Sequence, residues 1–150
     1  MLDQAEALRK LVINEEEQSK NTGSKIITIT SGKGGVGKSN FVVNLAIALQ
    51  NKGKRVLIFD ADLGMGNDDV LMGLYPKNNI FDIIYTDLEI KDIIIEGTNG
   101  VSLIPAGSAL IKAQELEEEE RKLFLSKLET LDEYDYILMD TGAGVNRDVL

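Results

Sequence analysis

The stretch Gly32-Lys33-Gly34-Gly35-Val36-Gly37-Lys38-Ser39 follows directly on the apolar run Ile26-Ile27-Thr28-Ile29-Thr30, and it leaves the chain few folds to choose from. It fits G-x-x-x-x-G-K-[ST], a loop that holds phosphate groups between a strand and a helix. The residue types follow from that task. Glycines let backbone N–H groups converge on an anion without side-chain obstruction. Lys38 places a point charge near the β- and γ-phosphates, and the Ser39 hydroxyl can ligate Mg²⁺. Behind the loop, Ser39 to Gln50 reads as a helix whose N-terminal dipole favours an anion further. Phe41, Val42, Leu45, Ala46 and Leu49 form its apolar stripe, and Gly53 stands where a C-terminal cap belongs. A glycine-rich turn with no ligand is the competing interpretation, and the strand and helix on either side argue against it.

Composition narrows the chemistry. The 150 residues suffice for one domain with a core, and 25 acidic against 16 basic side chains give a formal charge of −9. That balance disfavours a nucleic-acid surface. There is no cysteine and no histidine. A disulfide, a cysteine-ligated metal and a histidine general base are therefore excluded within these residues, and Mg²⁺ is the metal to expect. No apolar stretch reaches the length of a membrane span, and the N-terminus lacks a secretory core, so a cytoplasmic location is expected.

Along the chain, Met1 to Ile13 reads as a short amphipathic helix with Asp3 and Glu6 in a capping-box arrangement and Leu2, Ala5, Leu8, Leu11 and Val12 on one face. It could pack on its own domain, fray as a leader, or lie in a partner's groove. Residues 14–24 are polar and aperiodic, a linker. From Lys25 strands alternate with helices. Strands are expected at Ile26–Thr30, Arg55–Asp60, Val101–Pro105 and Tyr136–Asp140. Short helices are expected at Asp68–Gly73 and Ile80–Tyr85. A longer one, Glu115 to Leu131, should turn Leu116, Leu123, Phe124, Leu128 and Leu131 inward, with Glu117–Glu120 as a solvated face. Ile93-Ile94-Ile95 is ambiguous between strand and helix, and is placed near a helix end.

This alternation predicts an α/β fold, a doubly wound and mostly parallel sheet flanked by helices. Ligands bind such sheets beyond the carboxyl ends of their strands. Polar groups cluster there: the loop after the first strand, Asp60 and Asp62 after the second, Gly107-Ser108 after the third, and Asp140 after the fourth. A carboxylate ending an apolar strand is costly to bury without a metal or a capped helix.

Lys33, a second lysine at the front of the loop, resembles the deviant Walker A of the MinD/ParA ATPases, a P-loop NTPase family. Phe59-Asp60-Ala61-Asp62-Leu63-Gly64-Met65-Gly66-Asn67 is similar to that family's switch I, and Asp140-Thr141-Gly142-Ala143-Gly144 to its Walker B aspartate running into switch II. The resemblance implies an ATPase that uses ATP and Mg²⁺ and forms an ATP-dependent homodimer. Nucleotide would lie on Gly34, Gly35, Val36, Gly37, Lys38, Ser39 and Asn40. Ser39, Asp60 and Asp140 would serve the metal, and Lys33, Lys38 and Asp62 the catalysis, with Lys33 reaching across to the partner's nucleotide. Within the family, Asp3-Gln4-Ala5-Glu6-Ala7-Leu8-Arg9 resembles an element of the regulators of flagellar number and placement. That element is associated with stimulating the signal-recognition-type GTPase FlhF, which makes Asp3, Gln4, Ala5, Leu8 and Arg9 the candidate partner-binding residues.

Family members continue well beyond switch II, with further strands, adenine-holding residues and usually a membrane-targeting helix. The chain is therefore expected to be the N-terminal portion of a longer protein, residues 25–150 forming part of its ATPase domain. Peripheral membrane association would come only through a C-terminal helix beyond it, and a strand left without its neighbour would present an exposed edge. Contacts with flagellar basal-body proteins are compatible with this picture. Two other functions share the site: a nucleotide-gated binding module without turnover, and a ParA-like DNA-partitioning ATPase. The acidity and the N-terminal element weigh against the second.

Overall fold

The computed structural model describes residues 23–62, 68–105 and 118–143. The expected N-terminal helix, with the candidate partner-binding residues Asp3, Gln4, Ala5, Leu8 and Arg9, lies outside them, as do Leu63–Asn67, Gly107-Ser108, Leu116 and Gly144. The strands are β1 (Lys25–Ser31), β2 (Val56–Ala61), β3 (Ile95–Glu96), β4 (Ser102–Ile104) and β5 (Tyr136–Ala143). The helices are α1 (Lys38–Asn51), α2 (Asp68–Leu71), α3 (Ile80–Tyr85), α4 (Ile90–Ile93) and α5 (Glu118–Glu129). They build one sheet in the order β1-β5-β2-β4-β3, parallel except for the antiparallel pairing of β3 with β4.

Alternation along β2 explains why helices cover both faces. Leu57 and Phe59 point into one core with Ile80 of α3 and with Phe124 and Leu128 of α5. Val56 and Ile58 point into the other with Val42 and Ala46 of α1. Successive side chains leave a strand on opposite sides, so an unbroken apolar run needs cover on both. The Phe59 and Phe124 rings meet at 4.8 Å between centroids, tilted 46°, joining β2 to α5.

Local chemistry accounts for the helix ends. After α1, Lys54 N–H donates to Leu49 O (3.1 Å) and Gly53 N–H to Gln50 O (2.9 Å), with Gly53 at φ 79°. This paired arrangement is a Schellman cap, which glycine permits because the left-handed conformation costs it little. Asn79 caps α3 reciprocally with Asp82, and Glu89 caps α4 with Asp92. Ser24, at the end of the expected linker, shares its single hydroxyl proton between Leu131 O and Tyr134 O (2.7 Å), tying the start of β1 to the turn before β5.

Several expectations are corrected. Phe41 is 59% exposed, because the buried face of α1 runs through Val42, Val43 and Ala46, and a neighbouring position is turned by about 100°. Leu123 is 49% exposed for the same reason: Phe124 and Leu128 set the inward face of α5. The Ile93-Ile94-Ile95 run divides, Ile93 closing α4 and Ile95 opening β3 opposite Leu103. That antiparallel strand went unforeseen because a two-residue pairing leaves no periodicity to detect. β5 extends past Asp140 to Ala143, where Ser31 of β1 pairs with it beyond an irregularity in register. Among the described residues β1 is an outer strand, with Ile26 and Ile27 about two-fifths exposed.

Candidate phosphate and cation site

The loop between β1 and α1 is wound back on itself. Gly35 (φ 71°) and Gly37 (φ 88°) occupy the left-handed region, which side chains disfavour, and nothing within 4 Å crowds the space a Cβ would take. Backbone conformation, not packing, is therefore what demands glycine here. The Ser31 hydroxyl donates to Lys33 O (3.0 Å) and steadies the loop's first turn. Phe41 N–H donates to Gly37 O (2.9 Å), so α1 starts at the loop's last glycine. Lys33, Gly34, Gly35, Val36, Gly37 and Asn40 are exposed, whereas Lys38 and Ser39 in the first turn are partly covered.

Strand register brings the carboxylates to this loop. Asp60 of β2 lies directly beside Asp140 of β5, and Ile29 of β1 lies on the other side of Asp140. Residues eighty apart in sequence thus end adjacent strands side by side. The Lys38 ammonium forms an ion pair with Asp140, which is 1% exposed. The Asp60 carboxylate accepts the backbone N–H groups of Asp62 and Asp68, each at 3.2 Å, and so shapes the chain as it leaves β2. Asp62 is only partly buried, and its Oδ1 lies 3.2 Å from where a Cβ on Gly142 would stand. Any larger residue at 142 would push Asp62 aside. Thr141 donates its hydroxyl to Ile29 O (3.0 Å), fastening β5 to β1 next to Asp140.

Lys38, Asp60, Asp62 and Asp140 are therefore gathered at one rim, with Ser39 in the adjoining turn, whereas Lys33 lies exposed on the loop. One member of the group escaped the sequence reasoning. Asp68, at the start of α2, is fully buried, and no donor among the described residues reaches either carboxylate oxygen. Burial pushes its carboxyl up to about 9, and the charges of Asp60 and Asp140 and a hydrogen bond with the Asp140 carboxyl, which the protonated Asp68 can donate, act in the same direction against Lys38. Burial also pushes Asp60 up to about 7, opposed by its two amide donors. The one signal in the sequence is the Asp68-Asp69 pair after Asp60 and Asp62, and acidic residues opening a helix are too ordinary to single it out.

A hard divalent cation fits this donor set. The groups are carboxylate and hydroxyl oxygens, two carboxyls are held towards their neutral form by burial, and one has both oxygens orphaned. Among the described residues no three acidic groups close into a self-contained metal cage. Mg²⁺ keeps several waters and takes further oxygens from a substrate's phosphates, so one or two protein oxygens can hold it.

The sequence and the fold both have relatives. Residues 24–146 match the family model described as an AAA domain. The chain is 39% identical to the antiactivator FleN of Pseudomonas aeruginosa, over 84% of this chain and 45% of that protein. It is also 39% identical to the flagellum site-determining protein YlxH of Helicobacter pylori, over 97% of this chain and 51% of that one. Among solved structures it resembles MinD of the Aquifex aeolicus MinC:MinD complex, with 30% identity and a TM-score of 0.69 over 83% of this chain and 50% of that one. The septum site-determining protein MinD of Pyrococcus horikoshii, complexed with Mg-ADP, is 31% identical with a TM-score of 0.68, over 83% and 51%. The chain thus spans about half the length of the curated relatives it matches.

Proposed function

The chain belongs to the MinD/ParA family of P-loop ATPases, and on that premise we propose that it carries the nucleotide site of an Mg²⁺-dependent ATP switch controlling flagellar number and placement. The observation that carries this reading is the ion pair of Lys38 with Asp140 beside Asp60, at the mouth of a loop wound on Gly35 and Gly37. The name of the Helicobacter pylori relative, a flagellum site-determining protein, favours the biological role.

Phosphoryl transfer asks a protein mainly for positioning and for charge neutralisation. The amides of Gly34 to Lys38 hold phosphate oxygens. Lys38 exchanges Asp140 for the β- and γ-phosphates, and Asp140 is released as its ammonium leaves. Ser39 would hold Mg²⁺ through its hydroxyl, and Asp60 and Asp140 would serve the same cation from the strand ends. When bound, Mg²⁺ supplies positive charge against the phosphate oxygens. Asp62, partly exposed at the strand ends, orients the attacking water, a role no histidine is present to take. Lys33, exposed on the loop, neutralises charge at the nucleotide of a second copy, so that ATP favours a face-to-face dimer and hydrolysis releases it. The N-terminal helix, through Asp3, Gln4, Ala5, Leu8 and Arg9, passes this state to an FlhF-type GTPase.

The test is Asp62→Ala in the intact protein. It should bind ATP and dimerise as the parent does while turnover falls at least about a hundredfold, within the range of a positioned acid–base group. Normal turnover would remove Asp62 from the mechanism. Failure of the parent to bind Mg-nucleotide at all would remove the mechanism itself.

A further inference from the structure

We propose that Ser31 is a positioning residue for Lys33: its hydroxyl fixes the direction in which that lysine leaves the loop. The inference deepens the role given above to Lys33 at the nucleotide of a second copy, and it rests on that role.

Lys33 stands where its own backbone holds it least. Gly32 precedes it, Gly34 and Gly35 follow, and all four residues are exposed. Glycine turns about its backbone bonds more freely than any other residue, so a side chain set between glycines takes no direction from its neighbours. Packing supplies none either, since no atom lies within 4 Å of the space a Cβ on Gly32 or Gly35 would take. Among the described residues the Ser31 hydroxyl is the one side-chain group hydrogen-bonded to residues 32–36, and it donates to Lys33 O at 3.0 Å.

Ser31 itself is held firmly. It ends β1 and pairs with Ala143 of β5, beyond the irregularity in register that follows Ile29. Before that irregularity the Thr141 hydroxyl donates to Ile29 O (3.0 Å). β5 therefore fastens the chain on both sides of the break, and Ser31 cannot drift as a loop residue would. From this fixed point its hydroxyl grips the carbonyl two residues on. A peptide group is planar, so holding the Lys33 carbonyl orients the whole unit from Lys33 Cα to Gly34 Cα. The side chain leaving Lys33 Cα is oriented with it. The phosphate-facing turn is set by other means, the left-handed conformations of Gly35 and Gly37 and the bond from Phe41 N–H to Gly37 O. Loss of the Ser31 hydroxyl should thus spare nucleotide binding and blunt the lysine.

The experiment compares the intact protein with Ser31→Ala, Ser31→Thr, Lys33→Met and the double variant, by single-turnover ATP hydrolysis and by calorimetric Kd for Mg-ADP. Ser31→Ala should slow hydrolysis about three- to tenfold, the worth of one neutral hydrogen bond, while its Kd stays within about twofold of the parent's. Ser31→Thr keeps the hydroxyl and should restore the rate. Lys33→Met should lose about a thousandfold or more, as removal of a charge supplied by a second subunit does. Adding Ser31→Ala to Lys33→Met should then cost nothing further, because the hydroxyl has no ammonium left to direct. A full rate in Ser31→Ala would overturn the proposal. So would an equal loss with and without Lys33, or a Kd that weakens in step with the rate, since either gives the hydroxyl only a general part in shaping the loop. Full turnover in Lys33→Met would overturn the role of Lys33 and this proposal with it, a failure that shows without any change at residue 31.

Discussion

Removing the Lys38 charge should cost stability as well as nucleotide, by an amount that can be bounded. Lys38 is 10% exposed and Asp140 1%, so their ion pair lies out of water. Lys38→Met keeps most of the bulk and strands Asp140, with Asp68 already lacking a donor. Truncating one partner of a buried pair usually costs about 3–5 kcal/mol, because the other charge stays buried and unpaired. Protonation sets a ceiling. A carboxylate can always escape by binding a proton, and at pH 7 that costs about 4 kcal/mol for a group whose unfolded pKa is near 3.9. The expected loss is therefore about 3–4 kcal/mol at pH 7, or about 10 °C in melting temperature for a domain of this size. It should shrink to about 1.5 kcal/mol at pH 5, where the proton is easier to obtain. Asp140→Asn alone should cost less, about 1–2 kcal/mol, since the amide oxygen put in its place still accepts from Lys38, which also keeps some access to water. The double variant should then show a coupling of about 2–3 kcal/mol. Urea unfolding of the four proteins without nucleotide, at pH 5 and pH 7, measures all of this. A coupling below about 0.5 kcal/mol, or a Lys38→Met loss that grows on acidification, would refute the reasoning.

Two further outcomes follow from the same groups and from the N-terminal element. Burial raises Asp60 from 3.8 to about 7 and Asp68 from 3.8 to about 9, so the folded chain keeps protons that the unfolded chain has lost. Their contribution to stability is greatest near pH 4 and declines as pH rises, through 7 for Asp60 and on to 9 for Asp68, by up to about 1.4 kcal/mol per unit for each group. Urea midpoints without divalent cation should fall from pH 5 to pH 9, and Asp68→Asn should flatten the part above pH 7; a level profile would contradict both assignments. In an FlhF GTPase assay, Leu8→Asp should abolish stimulation while Mg-ADP binding persists, and undiminished stimulation would remove Leu8 from the contact.

Much of this protein was legible in local patterns. The phosphate loop was, because its glycine spacing encodes the backbone conformations that Gly35 and Gly37 adopt. So were β2 and β5, since a strand covered on both faces must be apolar throughout, and an aspartate at its end stands out. The Gly53 cap was readable for a similar reason: a left-handed residue after a helix favours glycine whatever surrounds it. Tertiary structure decided the rest. Phe41 and Leu123 fit a helical stripe yet lie exposed, because periodicity marks a face only to within about one residue and packing chooses the side. β3 exists because β4 offers it two partners. Asp60 and Asp140 meet through strand order, which two distant segments settle between them. Asp68 looks in sequence like any acid opening a short helix, and its burial without a donor arises only once β2, β5 and α1 close around it. Backbone conformation is written residue by residue; the cost of an enclosed charge depends on every group that surrounds it.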